Sequence, residues 1–377
     1  MPIFIDRRKD QCPTCWSRAK LTGLVDEAAK RRIKCHFVCS RADVLAHEDE
    51  FLHEPSSLVL FIDSDEEPSN LLKEYDGLPV FQIVFAHHIH NMLKDEFSYV
   101  MSDLAGAMRE AVELLEKRGC RRLALFAVNF KSNHDICRVE SFKRICNTEN
   151  PLIFDLGLGL VNCIHELLSC RESIDGLICI NDFCALPLMH VLDRLDADWN
   201  SRMLILGFSD TTLAALHKPA LTSSSLNYGD SGRAVVNLHR KLAKKEGIAH
   251  LHYIMESNLL QRDTTRASAP NGICFANLSP MPIAEISQMI DTRKYFMALE
   301  NLLNYADKVT LGLMLGLMEE KTLDSLSKEL YISKDGLLYH LRKLKSVFNL
   351  GSAKEIGAFL RLWIDRDAFA RYISELK

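Results

Sequence analysis

The sequence lacks the features of membrane proteins, of secreted proteins and of the common enzyme classes. Its 377 residues contain no apolar run long enough to span a bilayer, and the first residues, MPIFIDRRKDQ, do not form a signal peptide. There is no nucleophile elbow, no phosphate-cradling glycine loop and no repeat of solenoid length. We therefore expect a cytoplasmic protein that is not an enzyme, uses no cofactor and has no membrane partner.

The sequence also lacks a convincing metal motif among its twelve scattered cysteines, which we expect to be reduced thiols. The spacing of four of them resembles a zinc site: Cys12, Cys15, Cys35 and Cys39. Residues 33–39 are predicted to form a strand, in which Cys35 and Cys39 lie roughly 13 Å apart, too far for one zinc. At most Cys12, Cys15 and Cys39 could converge, and packing or incidental thiols are favoured over a metal or redox role.

A strong excess of one charge is absent as well. The formal net charge is −4 at pH 7, so the chain as a whole is not a polyanion binder. The charge is uneven, however, because residues 334–354 contain five basic side chains and a single aspartate. A local basic patch on an acidic protein is typical of a sequence-specific DNA binder, since a strongly basic chain would bind any DNA.

Two successive helical patterns, separated by a short break, occupy residues 322–350. Thr322 and Ser333 are good N-caps for the two helices. The second helix has an apolar stripe, formed by Leu337, Leu341, Leu344 and Phe348. Its opposite face and the adjoining positions carry the candidate DNA-binding residues, which are Lys334, Asp335, Tyr339, His340, Arg342, Lys343 and Ser346. Periodicity alone leaves an ordinary amphipathic helical hairpin as an equal alternative.

The same segment resembles the output domains of the LuxR-type and response-regulator class. The resemblance is carried by Ile332-Ser333, Leu337, His340-Leu341, Leu344, Phe348 and Leu350. It covers roughly residues 304–364, with 308–317 as the first scaffold helix and 353–363 as the fourth. It implies that the second helix of a helix-turn-helix docks in the major groove of DNA. Leu338 stands where the family usually has a polar residue, and Gly336 weakens the start of the helix.

The first 266 residues alternate strand and helix patterns, which is typical of a parallel-sheet α/β protein. The predicted strands are 2–6, 33–39, 57–63, 80–85, 122–128, 152–155, 176–181 and 203–208. The predicted helices are 17–32, 103–118, 138–147 and 160–169. Residues 267–281 are rich in Ser, Ala, Pro, Asn and Gly and predict a linker, after which a helix is expected over 283–304.

Two series of strands suggest two similar lobes with a ligand between them, at the carboxyl ends of the strands. Several motifs in this region resemble the lactose-repressor and periplasmic sugar-binding superfamily. They include Met101-Ser102-Asp103, Arg138-x-x-Ser-Phe142, the segment 175–182, the segment 204–210 and Pro219-Ala-Leu221-Thr222. The resemblance covers roughly residues 1–266. It implies two Rossmann-like lobes, one formed by 1–101 and 223–253, the other by 102–222 and 254–266.

That resemblance also implies candidate ligand residues. Arg138 matches an arginine that contacts ligand hydroxyls, although a surface arginine at a helix start is an alternative. For Asn181 or Asp182, a role as a helix cap remains an alternative. For Trp16, the alternative is a position in the core or in the wall of the cleft. The carboxylate that the family places at position 209 appears one residue later. The candidate ligand-binding residues are Trp16, Arg138, Asn181, Asp182, Ser209 and Asp210.

Together the patterns predict three parts: a two-lobed effector-binding domain (1–266), a linker and connector helix (267–297) and a small all-α DNA-binding domain (298–377). Repressors of the resembled superfamily carry their DNA-binding domain before the first strand, whereas here the candidate module follows the lobes. We expect a ligand-responsive transcriptional regulator that acts as a homodimer, with DNA and a sugar-like effector as partners. The alternative is a solute-binding protein whose last helices mediate protein association.

Overall fold

The computed structural model describes residues 1–7, 14–61, 72–85, 97–147, 150–244, 247–268 and 270–376. The strands of this part of the chain are β1 (Ile3–Asp6), β2 (Cys35–Val38), β3 (Ser57–Phe61), β4 (Phe81–Phe85), β5 (Ser98–Ser102), β6 (Leu123–Val128), β7 (Leu152–Asp155), β8 (Ser173–Ile174), β9 (Gly176–Cys179), β10 (Leu204–Phe208), β11 (Thr222–Ser225), β12 (His252–Met255), β13 (Asn258–Leu260) and β14 (Ile273–Cys274).

The α-helices are α1 (Cys15–Lys30), α2 (Arg41–Leu45), α3 (Glu48–His53), α4 (Leu104–Lys117), α5 (Asn133–Ile145), α6 (Leu160–Leu168), α7 (Asp182–Leu195), α8 (Trp199–Arg202), α9 (Thr212–Leu216), α10 (Tyr228–Ala243), α11 (Ile283–Met289), α12 (Phe296–Tyr305), α13 (Lys308–Met318), α14 (Leu323–Glu329), α15 (Lys334–Phe348), α16 (Ala353–Trp363) and α17 (Arg366–Glu375). Short 3-10 helices lie at Asp263–Thr265, Phe275–Asn277 and Asp291–Tyr295.

The chain folds into two compact units. The first comprises residues 1–112, 129–149 and 225–258, and the second comprises 113–128, 150–224 and 259–377. The first unit contains a sheet of order β12-β5-β4-β3-β1-β2, in which every neighbouring pair is parallel. Ile3 and Ile5 belong to one core cluster and Phe4 to another, so β1 is buried on both faces.

The second sheet has the order β13-β11-β10-β9-β6-β7, and its pairs from β11 to β7 are parallel. All five residues of β10 are buried, as expected of a central parallel strand. Two parallel sheets with helices confirm the predicted α/β fold class. The predicted strands lie within one or two residues of the observed ones where both ends are described, but β5, β8 and β11 to β14 were not among the predicted strands.

The grouping of several segments differs from the lobes that the resemblance implied. Residues 102–112, 129–149 and 254–258 group with the first unit, although the resemblance placed them in the second lobe, and residues 223–224 differ in the opposite sense. The start of α4 is held to the first unit by its neighbours in that unit. The Asp103 amide donates to the Met255 carbonyl at 2.8 Å, and the Ser257 hydroxyl donates to Glu110 at 3.1 Å.

The last helices of the second unit include the two that the sequence predicted over 322–350. Ser333 caps α15 by accepting the Gly336 amide at 3.2 Å, and Thr322 caps α14 by accepting the Ser325 amide at 3.2 Å. The predicted apolar stripe is buried: Leu337, Leu341, Leu344 and Phe348. The helix over 308–317 is observed as α13, and α16 has the bounds 353–363 that were expected.

The single helix predicted over 283–304 is wrong, because the structure divides this segment into α11, a 3-10 helix and α12. Tertiary contacts determine the break. The Trp363 indole donates to the Thr292 hydroxyl at 2.9 Å, and the Tyr295 ring packs edge-on against Phe348 and Phe359. Helical periodicity over this stretch does not reveal that its middle must contact distant aromatic side chains.

Candidate functional site

Arg138 lies in the first unit, on α5, and is only 3% exposed. Its Nη1 atom is 3.2 Å from His134 Nδ1 and 3.6 Å from Asp135 Oδ1. The other carboxylate oxygen of Asp135 accepts the Asn129 amide at 3.0 Å. This burial excludes the alternative of a surface arginine. The helix begins five residues earlier than predicted because Ser132 caps it by accepting the Asp135 amide.

Trp16 lies in the first turn of α1 and is half-buried. Its ring is tilted against that of Tyr228, with centroids 6.3 Å apart. One turn later, the buried Lys20 places its Nζ atom 5.3 Å from the Phe85 ring centroid and 5.6 Å from that of Tyr228. Because Phe85 ends β4, these side chains form a cation–aromatic cluster at the carboxyl edge of the first sheet. Lys20 and Tyr228 were not among the predicted residues, although Lys20 follows Trp16 at helical spacing.

Asn181 and Asp182 follow β9 in the second unit. The Asn181 side chain accepts the Cys184 amide at 2.9 Å and so caps α7, which is the alternative left open by the sequence. Asp182 is fully buried, and its Oδ2 atom accepts the Thr211 amide at 2.8 Å. Its Oδ1 atom accepts the Ser223 hydroxyl at 2.7 Å. Both oxygens are therefore engaged in holding the segments after β10 and within β11 together.

Burial raises the pKa of Asp182 to about 7, whereas the hydrogen bonds from Ser223 and Thr211 lower it, and the nearby Asp210 raises it further. The carboxyl group therefore keeps its proton to a higher pH than an exposed aspartate does. Its position indicates that Asp182 orients the loop that follows β10, and direct ligand contact by this residue stays a prediction.

Ser209 and Asp210 form the start of that loop, at the carboxyl end of β10. Their φ angles are +106° and +48°, in the region that non-glycine residues rarely adopt. The Asp210 amide donates to the Ser223 hydroxyl at 2.9 Å, and the Asp210 carboxylate forms an ion pair with Arg262. Burial raises the pKa of Asp210 despite this pair. Since β9 and β10 are neighbours, the four predicted residues of this unit lie at one sheet edge.

The loop leads directly into α9, whose first amides are bound by a side chain from α12. Glu300 is only 4% exposed, and its carboxylate accepts the Thr212 amide at 2.7 Å and the Leu213 amide at 2.9 Å. The Asn304 side chain donates to the same carboxylate at 2.8 Å. Burial raises the pKa of Glu300, and the two amides oppose that shift. This contact was not predicted, because the local sequence around Glu300 contains no signal for it.

The other end of α9 contacts the helices beyond α15. The Asp365 amide donates to the Leu216 carbonyl at 2.7 Å, and the Asp365 carboxylate lies 3.6 Å from Lys218 Nζ. The rings of His217 and Trp363 have centroids 6.5 Å apart. Helix α9 is therefore held at both ends by the C-terminal helices of the same unit.

The segment predicted as a linker packs against the second unit. Strand β14 pairs antiparallel with β8, the Gly272 amide donates to the Arg202 carbonyl at 2.8 Å, and Arg122 donates to the Asn271 carbonyl at 2.8 Å. Ile273 is buried. A composition typical of a flexible linker thus occurs in a segment that is paired and partly buried.

The candidate DNA-binding residues lie on α15, and all but one are exposed: Lys334, Asp335, Tyr339, Arg342, Lys343 and Ser346. His340 is half-buried, and its Nδ1 atom lies 2.9 Å from the Thr310 hydroxyl of α13, so it positions the helix. Leu338 and Val347 are exposed on the same helix. The exposed face is therefore basic with apolar residues interspersed.

The cysteines that could converge at one point are only partly described, because Cys12 lies outside the described residues. Cys15 is buried at the start of α1, and Cys39 is exposed after β2. The expectation that these thiols serve packing or are incidental, and have no joint metal or redox role, stays a prediction. In the part of the chain that the structure covers, no helix combines the length and the apolar character needed to cross a membrane.

Comparisons with known proteins agree with this fold. A family model described as a periplasmic binding protein-like domain matches residues 112–265. The HTH-type transcriptional regulator pepR1 of Lactobacillus delbrueckii subsp. lactis is 28% identical over 178 residues, which cover 45% of this chain and 53% of that protein. The HTH-type transcriptional regulator CelR of Thermobifida fusca is 22% identical over 223 residues, 56% of this chain and 64% of that protein. The chain thus spans about one half to two thirds of the length of these relatives.

Solved structures give the same result. A LacI-family transcriptional regulator protein from Rhizobium etli superposes with a TM-score of 0.54 at 20% identity, over 71% of this chain and 98% of that chain. The complex of CelR with cellobiose has a TM-score of 0.53 at 17% identity, over 70% of this chain and 83% of that chain. A LacI-family regulator from Enterococcus faecium with bound ribose has a TM-score of 0.53 at 15% identity, over 72% and 99%. At these identities the likeness establishes the fold.

The raised pKa of Asp182 generates a testable dependence of stability on pH. Because the folded-state pKa of about 7 lies above the usual 3.8, the folded state binds more protons in this window, and stability falls as pH rises through it. We compare the free energies of unfolding of the wild type and of Asp182→Asn. The wild-type value minus the variant value should fall by about 2–3 kcal/mol from pH 5 to pH 8. Urea unfolding of both proteins checks this. Parallel pH profiles would show that the carboxyl group does not titrate in this range.

Proposed function

We propose that the protein is a ligand-responsive transcriptional regulator, which binds a small sugar in its α/β region and DNA through its C-terminal helices. One observation supports it most: a two-sheet fold like that of sugar-binding regulators is joined in one chain to an exposed basic helix. The relatives are named HTH-type transcriptional regulators, and two of the similar structures contain cellobiose and ribose. The protein is not proposed to be an enzyme.

The geometry of α14 and α15 supports DNA binding by a helix-turn-helix of the LuxR type. The two helices pack together and are separated by residues 330–333. Helix α15 buries its apolar stripe and exposes Arg342 and Lys343. Long basic side chains on an exposed helix can neutralise phosphates and reach base edges when the helix lies in the major groove. The exposed Leu338 suits the methyl group of thymine.

DNA binding is tested by selecting genomic fragments with the purified protein and measuring their affinity. Changing Arg342 and Lys343 together to Ala should weaken binding and reduce the slope of log affinity against log salt by about 1.8, the value for two lost phosphate contacts. Arg371→Ala, at an exposed position of α17, is the control and should leave both quantities unchanged. Failure to enrich any fragment would favour the alternative, a solute-binding protein whose last helices mediate association.

The proposed effector is a small polyhydroxylated molecule that contacts the carboxyl ends of the strands. Arg138 supports this, because a guanidinium has five donors in a fixed plane and suits vicinal hydroxyls. Trp16 presents a half-buried ring beside Tyr228, and such a ring can stack on the face of a sugar. Ser209 and Asp210 place a hydroxyl and a carboxylate at the edge of the second sheet.

At least one sugar in a panel of mono- and disaccharides should raise the thermal unfolding midpoint of the wild type. At a ligand concentration of 100 times Kd, the free energy of unfolding should increase by about 2.7 kcal/mol. Arg138→Ala should lose this ligand-induced shift. Because Arg138 is buried beside Asp135, the variant will start from a lower midpoint, so the shift and not the midpoint is compared. Arg144→Ala, at an exposed position of the same helix, is the matched control. An unchanged shift in Arg138→Ala would remove this residue from the site.

We further propose that α9 transmits the effector signal. Its first residue follows the loop of Ser209 and Asp210, and its first amides are bound by Glu300 of α12, which precedes the DNA-binding helices. A ligand that changes the loop would move α9, and the buried carboxylate would have to follow its two amides. In a homodimer, which the resembled families form, this would change the spacing of the two α15 helices, about 34 Å on a palindromic site.

Allosteric coupling usually changes the affinity for the second ligand by about 5- to 150-fold, or about 1–3 kcal/mol. Glu300→Gln should reduce the change in DNA affinity that the effector causes to less than that of the wild type. A neutral amide cannot accept both backbone N–H groups as well as a carboxylate does. Glu285→Gln, at an exposed position of α11, is the control. A Gly-Ser insertion after Pro270 should preserve the response, because it leaves the contact of α12 with α9 intact. A response lost on insertion but kept in Glu300→Gln would instead assign transmission to the linker.

A further inference from the structure

Two imidazoles and a carboxylate meet on the outer side of the first unit. His36 lies on β2, His47 precedes α3, and Glu50 is in the first turn of α3. One ligand atom from each lies within 4.8 Å of those of the other two. His36 Nε2 is 3.0 Å from Glu50 Oε2, and His47 Nδ1 is 3.4 Å from Glu50 Oε1. None of these residues belongs to the proposed ligand or DNA sites.

We propose that His36, His47 and Glu50 form a binding site for a divalent transition metal ion, with zinc as the best match. Imidazole nitrogen and carboxylate oxygen are ligands that zinc accepts at about 2.0–2.2 Å, so two ligand atoms of a tetrahedral site lie about 3.4 Å apart. The His47–Glu50 distance has this value, His36 lies closer and to the other oxygen of the carboxylate, and the three ligand atoms lie within 4.8 Å of one another. Three protein ligands leave the fourth position for water. This inference is independent of the proposed function.

The surroundings hold the two imidazoles in place. The Phe4 ring, which is fully buried, stacks on His36 with centroids 5.2 Å apart and an interplanar angle of 17°. Phe4 also contacts the His47 ring at 6.0 Å, and the two imidazole centroids are 4.0 Å apart. The Glu50 amide donates to the His47 carbonyl at 2.9 Å, which ties the carboxylate to the second histidine. Ligands held by packing lose little entropy when they bind a metal.

The charge of the site also suits a dication. The Glu50 carboxylate supplies negative charge, and in this structure the side chains of Lys34 and His36 lie within hydrogen-bond distance of it. Lys34 Nζ lies 2.9 Å from Glu50 Oε1 and is the competing cation. Its side chain is 65% exposed and can move into solvent when a metal ion replaces it. A site occupied by a lysine in the absence of metal should therefore bind metal more tightly once that lysine is neutralised.

The test uses the metal-free full-length protein and titrates it with ZnCl2 in a calorimeter, with MgCl2 as the hard-cation comparison. The wild type should bind zinc at this site and bind no magnesium. His47→Ala should lower the zinc affinity of this site by more than about 100-fold. Loss of a residue that only hydrogen-bonds a metal ligand lowers the affinity by about 10- to 100-fold. His53→Ala, at an exposed position of α3, the helix that His47 precedes, is the matched control and should bind as the wild type does. Equal zinc binding by the wild type and His47→Ala would overturn the proposal.

Lys34→Gln separates a metal site from a purely structural ion-pair cluster. If the cluster binds metal, this variant should bind zinc at least several-fold more tightly, because the competing ammonium is gone. If the cluster serves only the fold, the variant should lose thermal stability and zinc should not restore it. Co²⁺ in place of zinc should give the visible absorption of a tetrahedral site in the wild type and in His53→Ala. Loss of that signal is expected in His47→Ala, and its retention there would contradict the assignment.

Discussion

The contact between the Glu300 carboxylate and the amides of Thr212 and Leu213 determines how the C-terminal helices join the α/β part of the second unit. Burying a carboxylate costs several kcal/mol unless hydrogen bonds and opposite charge compensate it. The start of α9 supplies both, since its amides point at the carboxylate and carry partial positive charge. Any other register between α12 and α9 would leave the charge buried without these donors, so the contact defines a single arrangement.

The strained loop before α9 is likewise stabilised by buried hydrogen bonds. Ser209 and Asp210 adopt left-handed backbone conformations that cost about 1–3 kcal/mol each and persist only where the surroundings determine them. Here the buried Asp182 binds the loop through Thr211, and Ser223 binds the Asp210 amide. A polar network that is fully hydrogen-bonded in a buried place is rigid. The loop of the candidate ligand residues Ser209 and Asp210 therefore leads directly into the short helix to which the C-terminal helices attach.

Elements whose pattern is local were predicted well. Buried parallel strands are short apolar runs bounded by turn residues, and α15 has both a cap at Ser333 and an apolar stripe, so neither requires knowledge of distant residues. The helix expected over 283–304 failed because Thr292 and Tyr295 contact side chains of α15 and α16. The segment 267–281 was predicted as a linker from its composition, which does not show that β14 pairs with β8.

The sequence by itself determined the α/β class, the place of the strands along the chain, the candidate recognition helix and the set of polar residues that follow β9 and β10. Only the tertiary structure decided what those residues do. The buried Asp182 holds the loop after β10 to β11, Asn181 caps α7, and Arg138 is enclosed beside His134. Long-range packing likewise placed Glu300 at α9. The reason is physical: secondary structure and capping follow from neighbouring residues, whereas the cost of a buried charge and the partner that offsets it depend on residues far apart in the chain.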